Sequence, residues 1–499
     1  MSKRLIESKR FFIFAAAIVA AVLLAVCLVA CDNPSLPSPS SPVPVYDMNL
    51  TFDGDREVTL QEEILYTNDT GDTLTTLAFH LYPNAFAEDA KNPPYFAADR
   101  ENFYYNGESF GCIEISSVEL NRKTSDFVTN GTDDEILEVA CALSDGETAT
   151  VSITATLTLP ECNARFGITE STVNLTGFYP VLCMYEDGAW RTDGYTAAGD
   201  PFYSETSSFY VTANIPADYV VACSGEVTSN EVKDDFKCVE ITAENVRDFA
   251  MFLSRDFACE TTAVALPSGE VNVEYYHVSD DSAKDTTALA ADALKVFSDT
   301  FGAYPYSSFK VVQAPVGAGG MEYGALVAID PSVTDATEYA RTVVHETAHQ
   351  WWFGAVGSDQ LNSPWLDEGL TEFSTAYYFL KKGEKTTYTE LTTAAQTYYG
   401  VYARMPAEVG FNPVMNRHLS SYISNGEYVA VTYCKGLLLF DALLSLAGEA
   451  KFETALRNYF ADNLFSVATE QDLADAFEQA GFDAKGIIES FVSGAAIVN

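Results

Sequence analysis

The chain has 499 residues, 47% of them hydrophobic and 13% aromatic, which is enough apolar surface for two or three packed domains and argues against a disordered chain. Its 28 basic residues stand against 71 acidic ones, a formal net charge of −43 at pH 7. Such a surface repels phosphate backbones, so no nucleic acid partner is expected; its plain meaning is solubility.

Residues 1–31 are expected to be a signal peptide. Lys3, Arg4, Lys9 and Arg10 open it, and an uncharged apolar run over 11–30 follows. The run closes on Leu28-Val29-Ala30-Cys31, which resembles the lipobox of bacterial lipoproteins. That resemblance implies a lipid anchor at Cys31 and a place on the extracytoplasmic face of the cell membrane. An uncleaved transmembrane anchor is the alternative, since about 20 apolar residues span a bilayer. Residues 32–44 are a Pro/Ser linker, an extended spacer suited to either tether. Of ten cysteines, eight follow Cys31. Export permits disulfides, but none has C-x-x-C spacing and the pairing stays open.

Over 45–266 short alternating strands are separated by turn signals such as Asn68-Asp69-Thr70-Gly71-Asp72, which predicts an N-terminal all-β domain. Residues 267–499 are expected to form a second domain. Helical periodicity predicts a helix over 282–301 with Gly302 as its stop, and further helices over 338–353 and 366–382. Residues 309–314 and 326–329 read as strands, and the remainder as helices.

Within the helix over 338–353 lies His345-Glu346-Thr347-Ala348-His349. Residues four apart share a helix face, so both imidazoles can reach one ion. Glu346 beside them can act on a metal-held water without being a ligand. Catalytic zinc wants a third protein ligand and an open position. Glu368, in Trp365-Leu366-Asp367-Glu368-Gly369 on the next helix, is the candidate. The flanks Val343, Val344, Trp351, Trp352 and Phe353 predict a buried helix, where His and Glu need partners that a metal provides. Glu372, one turn after Glu368, is either a partner for a ligand histidine or an exposed carboxylate. His80, His277 and His418 lack ligand spacing.

These motifs resemble the gluzincin class of zinc aminopeptidases, the family of aminopeptidase N and leukotriene A4 hydrolase. The chain has Asp367 where that family usually has Asn. Gly319-Gly320-Met321-Glu322-Tyr323 resembles the family's G-x-M-E-N motif, with Tyr323 in place of Asn. The resemblance implies that Gly319, Gly320, Met321 and Glu322 bind substrate, with Glu322 holding its free α-amino group. Val431-Thr432-Tyr433-Cys434-Lys435-Gly436 resembles the segment whose tyrosine stabilises the transition state, which implies that role for Tyr433. Asp200-Pro201 is set beside the family's E-P element. The implied architecture is a saddle-like all-β domain followed by a thermolysin-like α+β catalytic domain ending in helices. The large C-terminal helical domain of many relatives is not expected, which leaves a more open cleft.

The expected protein is thus a zinc aminopeptidase, with one Zn2+ per chain held by His345, His349 and Glu368. Glu346 and Tyr433 are its expected catalytic residues and extracellular peptides its substrates. Its rivals are a zinc endopeptidase on the same scaffold and a non-catalytic surface binding lipoprotein.

Overall fold

The computed structural model describes residues 39, 41–278, 285–405 and 410–496. The expected signal peptide, Cys31 and most of the linker lie outside these residues. The first half follows from alternation. Glu57–Thr67 alternates exposed and buried residues along its length, so one face packs inward and the other meets water. It belongs to an eight-stranded sheet in which Val45–Phe52 lies between it and Ser207–Pro216. Val45–Phe52 runs antiparallel to the former and parallel to the latter. Two four-stranded sheets and a two-stranded one complete this half, with strands such as Val173–Thr176 buried throughout.

The second half is organised on a five-stranded sheet in the order Ala258–Leu266, Gly269–His277, Ser308–Gln313, Leu326–Ile329, Gly320–Tyr323. The boundary expected after Leu266 passes through a hairpin, since Leu266 pairs with Gly269. Ala258–Leu266 is largely exposed along its length, and its pairing with Gly269–His277 assigns it to the later sheet. Gly320–Tyr323 is the edge strand, paired on one side alone with Leu326–Ile329.

The helices start where short polar side chains cap them. Asp285 caps Thr286–Thr300 by accepting from the Ala288 N–H, and Asp335 caps Ala336–Ala348 by accepting from Thr337 and Glu338. The latter helix begins two residues before the sequence suggests. It ends at Ala348, not 353: Trp351, Trp352 and Phe353 are buried in the turns that follow, and Phe353 has φ 140°. The next ligand-bearing helix is Glu368–Lys381. A later helix, Asn425–Ala447, contains a π-helical turn over Val429–Cys434. It is long and apolar enough to cross a membrane, with mean hydropathy 1.6. Here it is a core helix, with Leu437, Leu439, Phe440 and Leu443 fully buried.

One apolar cluster runs from Met48 and Phe79 in the β half through Trp351 and Trp365 to Phe440 and Phe477. Arg247 ties the halves at three backbone carbonyls. Its Nε donates to Phe353 O at 3.0 Å, Nη1 to Ser204 O at 3.0 Å and Nη2 to Ser466 O at 2.9 Å. The eight cysteines of the described residues are free thiols.

Candidate active site

The helix Ala336–Ala348 sets His345 one turn before His349, and the turn through Trp365 brings Glu368 to them from the next helix. Three donor atoms converge. His345 Nε2 lies 3.2 Å from His349 Nε2, and each lies 3.3 Å from Glu368 Oε2. A tetrahedral zinc with ligand bonds of about 2.0–2.1 Å separates its donors by about 3.3 Å. The triangle therefore has the size of a zinc site.

The far side of each imidazole is held. His345 Nδ1 lies 3.1 Å from Glu372 Oε2, so of the two roles open to Glu372 the fold brings it to the histidine. His349 Nδ1 lies 2.7 Å from Asp367 Oδ1, with Thr371 Oγ1 at 3.2 Å and Trp352 O at 3.1 Å. These acceptors keep a proton on Nδ1 and leave Nε2 facing the shared point.

Charge makes the same argument. Burial pushes the Glu322 carboxyl well above its ordinary range, and Asp200, Asp367 and Glu368 add to the effect. Burial likewise pushes Glu346 up to about 7 and Asp367 up to about 6. Burial also raises Glu368, but the imidazoles of His349 and His345 outweigh it and hold that carboxyl below its usual range. Burial disfavours a charged His345, yet Glu368 and Glu372 raise it to about 9. His349 is pushed well above its ordinary value by Glu322, Asp367 and Glu368 against the same burial penalty. Without a metal, the two imidazoles are the cations nearest these carboxylates. A divalent ion, which His345, His349 and Glu368 would hold, would supply that positive charge in place of the protons.

Glu346 lies beneath the edge strand. A Cβ on Gly320 would sit 2.3 Å from Glu346 Oε1, so only glycine lets the strand pass over this carboxylate. Glu346 Oε2 and Glu322 Oε1 are buried with no hydrogen-bond partner. Orphaned carboxylate oxygens beside a cleft are acceptors for a water or an ammonium group. The strand itself is pinned by Gln350, whose Nε2 donates to Tyr323 O at 3.0 Å and whose Oε1 accepts from Ala325 N–H at 2.9 Å.

Met321 differs from its expected role. Its side chain is buried in the second apolar cluster, with Phe252, Tyr323 and Ala328. Tyr323 shares that cluster, edge-on to Phe252 at 5.7 Å, with its hydroxyl 3.3 Å from Thr176 Oγ1. The tyrosine in the Asn position is thus absorbed by contacts with the β half. Tyr433, held on the π-helical turn, donates its hydroxyl to Glu368 Oε1 at 2.5 Å and stacks on His345 with centroids 5.9 Å apart.

Two cavities meet at Gly319 and Tyr433. The larger, about 810 Å³, is bordered by Tyr95, Phe103, Tyr195, Asp200 and Tyr428. The smaller, about 220 Å³, is bordered by Arg341, Thr342, His345, Glu346 and Glu372. Sequence reasoning missed Arg165, which pairs with the buried Asp200 at 2.6 Å, because nothing local signals a partner 35 residues away. It also missed the Asp367–His349 bond, for which adjacency to Glu368 was the available signal. Arg341 was missed too, although i, i+4 spacing to His345 marks it.

Comparison with known proteins agrees with this geometry. Residues 286–493 match the peptidase family M1 domain. Aminopeptidase 2 of Candida albicans is 23% identical over 425 residues, covering 76% of this chain and 44% of that protein. Aminopeptidase N of Streptomyces lividans is 28% identical over 208 residues, 39% of this chain and 24% of that one. The chain thus spans less than half the length of these curated relatives. Among solved structures, an M1 zinc metallopeptidase from Deinococcus radiodurans superposes with a TM-score of 0.66 at 18% identity, covering 93% of this chain and 97% of that one. Legionella pneumophila aminopeptidase A gives 0.62 at 16%, covering 91% and 50%. Both share this fold, and residues 286–493 of this chain are similar to the peptidase family M1 domain.

Proposed function

We propose that the protein is a zinc-dependent aminopeptidase that hydrolyses the N-terminal peptide bond of extracellular peptides. The observation that carries this is the donor triangle of His345, His349 and Glu368 beside two orphaned carboxylate oxygens, on Glu346 and Glu322. His345, His349 and Glu368 would hold a zinc ion, which would supply Lewis acidity to the scissile carbonyl and the attacking water. Glu346 takes the proton of that water and passes it to the leaving amine nitrogen. The Tyr433 hydroxyl donates to the developing oxyanion. Glu322 accepts from the substrate ammonium group and so fixes which bond lies at the centre. The unpaired edge of Gly320–Tyr323 pairs with the peptide backbone.

Glu322→Ala separates the aminopeptidase from an endopeptidase. Zinc-loaded protein is assayed on a peptide with a free N-terminus and on its N-acetylated form. The wild type should cleave the first far faster, and the variant should lose that preference. Equal cleavage of both by the wild type would make the protein an endopeptidase.

The membrane tether belongs to the same proposal. Cys31→Ser should release the protein from the membrane fraction and end labelling by a fatty-acid probe. Retention of label would remove the anchor from Cys31.

A further inference from the structure

The smaller cavity contains a cation that the chemistry above does not use. Arg341 lies about one turn before His345 on the same helix face, about 6 Å back along the axis. Its Nη1 meets Glu338 Oε2 at 3.0 Å, but Glu338 is a solvent-facing partner whose side chain is 56% exposed. Its Nη2 stands 3.7 Å from Glu372 Oε1, beyond hydrogen-bond reach, and its Nε is buried with no partner. A guanidinium has five N–H donors, and this one uses few of them. Among the described residues around this cavity it is the one guanidinium or ammonium group.

Its position follows from the direction of a bound peptide, and here the argument rests on the proposed aminopeptidase. The substrate ammonium at Glu322 lies next to Asp200, which borders the larger cavity. The smaller cavity contains His345 and Glu346 but not Asp200. The leaving half of the peptide therefore extends into the smaller cavity, toward Arg341. An extended peptide advances about 3.3 Å per residue. A carboxylate one or two residues past the scissile bond thus arrives within reach of the guanidinium.

We infer that Arg341 binds the free C-terminal carboxylate of di- and tripeptides, making short peptides the favoured substrates of this site. A carboxylate there would exchange an exposed ion pair with Glu338 for a partly enclosed, charge-assisted one. The Glu346→Gln variant, zinc-loaded, allows binding to be read without turnover. Calorimetry should show Ala-Ala-Ala binding about tenfold tighter than Ala-Ala-Ala-NH2. Adding Arg341→Ala should erase that difference and leave the amide's affinity and the zinc content unchanged, while Arg341→Lys should retain part of it. Equal binding of acid and amide, no binding of either, or a preference that survives Arg341→Ala overturns the inference. Turnover by the unsubstituted enzyme keeps the two claims apart. Cleavage of both peptides without an acid preference leaves the aminopeptidase standing and removes only the role of Arg341, whereas cleavage of neither removes both.

Discussion

Gly369 and Gly436 touch where the helix Glu368–Lys381 crosses the helix Asn425–Ala447. A Cβ on Gly369 would lie 2.8 Å from Gly436 Cα, and a Cβ on Gly436 would lie 2.5 Å from Gly369 Cα. Gly369 adjoins the ligand Glu368, and Gly436 follows Tyr433 by three residues. The backbone contact is therefore what lets the Tyr433 hydroxyl reach Glu368 Oε1. Gly436→Ala should force the helices apart at a cost of about 1–3 kcal/mol. It should also lower kcat by more than it changes zinc content. Thermal unfolding, metal analysis and kinetics on one preparation test this. A variant with unchanged melting temperature and kcat would show that the crossing tolerates a methyl group.

Gly320 and Glu346 have a similar relation. Gly320→Ala should displace the Glu346 carboxylate, since the added Cβ would sit 2.3 Å from Oε1. Turnover is expected to fall by roughly 10²-fold or more, the usual contribution of a positioned acid–base group. Zinc should stay bound, because His345, His349 and Glu368 are untouched. Glu346→Gln should give the same pattern without moving the strand. If Gly320→Ala keeps full activity, the strand yields and the contact does not position the base.

The difference between what was legible in the sequence and what was not is a difference between local and distant information. H-E-T-A-H spacing alone placed two imidazoles on one helix face, and 326–329 was read as a strand with its observed bounds. Glu368 could be named because zinc needs a third ligand and the next helix offers a carboxylate, and Glu372 because it follows Glu368 by one turn. Tyr433 could not be picked from 28 tyrosines by any local rule, and it entered only through resemblance to a family. The Arg165–Asp200 pair, the membership of Ala258–Leu266 in the later sheet and the end of the motif helix at Ala348 all depend on contacts with distant segments. The bends after Ala348 are imposed by packing Trp351 and Trp352 against Phe297, Phe301 and Tyr459. The signal peptide and Cys31 fall outside the described residues, so their reading rests on sequence alone.

Metal removal should both stop the reaction and loosen the fold. The centre gathers Glu322, Glu346, Asp367 and Glu368 around two imidazoles, and without a dication these carboxyls keep protons or repel one another. Binding that favours the folded state adds about 2.7 kcal/mol at a free ligand concentration one hundred times Kd. Calorimetry of chelated protein should show a lower melting temperature, restored by one equivalent of zinc. Identical melting with and without metal would sink the site.

A pH prediction comes from the β half, away from the metal. Burial pushes the Glu205 carboxyl up to about 7, Asp69 adds to the effect and Arg247 opposes it. A carboxyl whose folded pKa is raised binds its proton more tightly in the folded state. The stability it contributes is complete below the unfolded value of about 4.3 and is lost as pH rises through 7. Glu205→Gln removes that slope. Discounted for partial exposure, the variant should gain on the order of 1 kcal/mol relative to wild type between pH 5 and pH 8. Urea unfolding at the two pH values measures it. A constant difference between variant and wild type would mean that Glu205 titrates normally.

Asp367 supplies the last test, because the family resemblance of its motif implies asparagine at this position. Its carboxylate is almost fully buried and is used on both sides. Oδ1 lies 2.7 Å from His349 Nδ1, and Oδ2 accepts from Gln360 Nε2 at 2.5 Å. An asparagine can keep only one of these bonds as it stands. If its oxygen faces His349, its NH2 meets the NH2 of Gln360, and that side chain must flip. Removing the carboxylate also lowers the electron donation of His349 toward a metal. Asp367→Asn should therefore weaken zinc binding by about 10–100-fold, the usual effect of losing a partner behind a ligand histidine. It should also narrow the gap in melting temperature between the zinc-loaded and chelated forms, since the metal-free centre carries one buried acid fewer. Competition against a chromophoric chelator reads the affinity directly. An unchanged zinc Kd would mean that Thr371 Oγ1 and Trp352 O suffice to hold His349, and that Asp367 serves the loop through Gln360 instead.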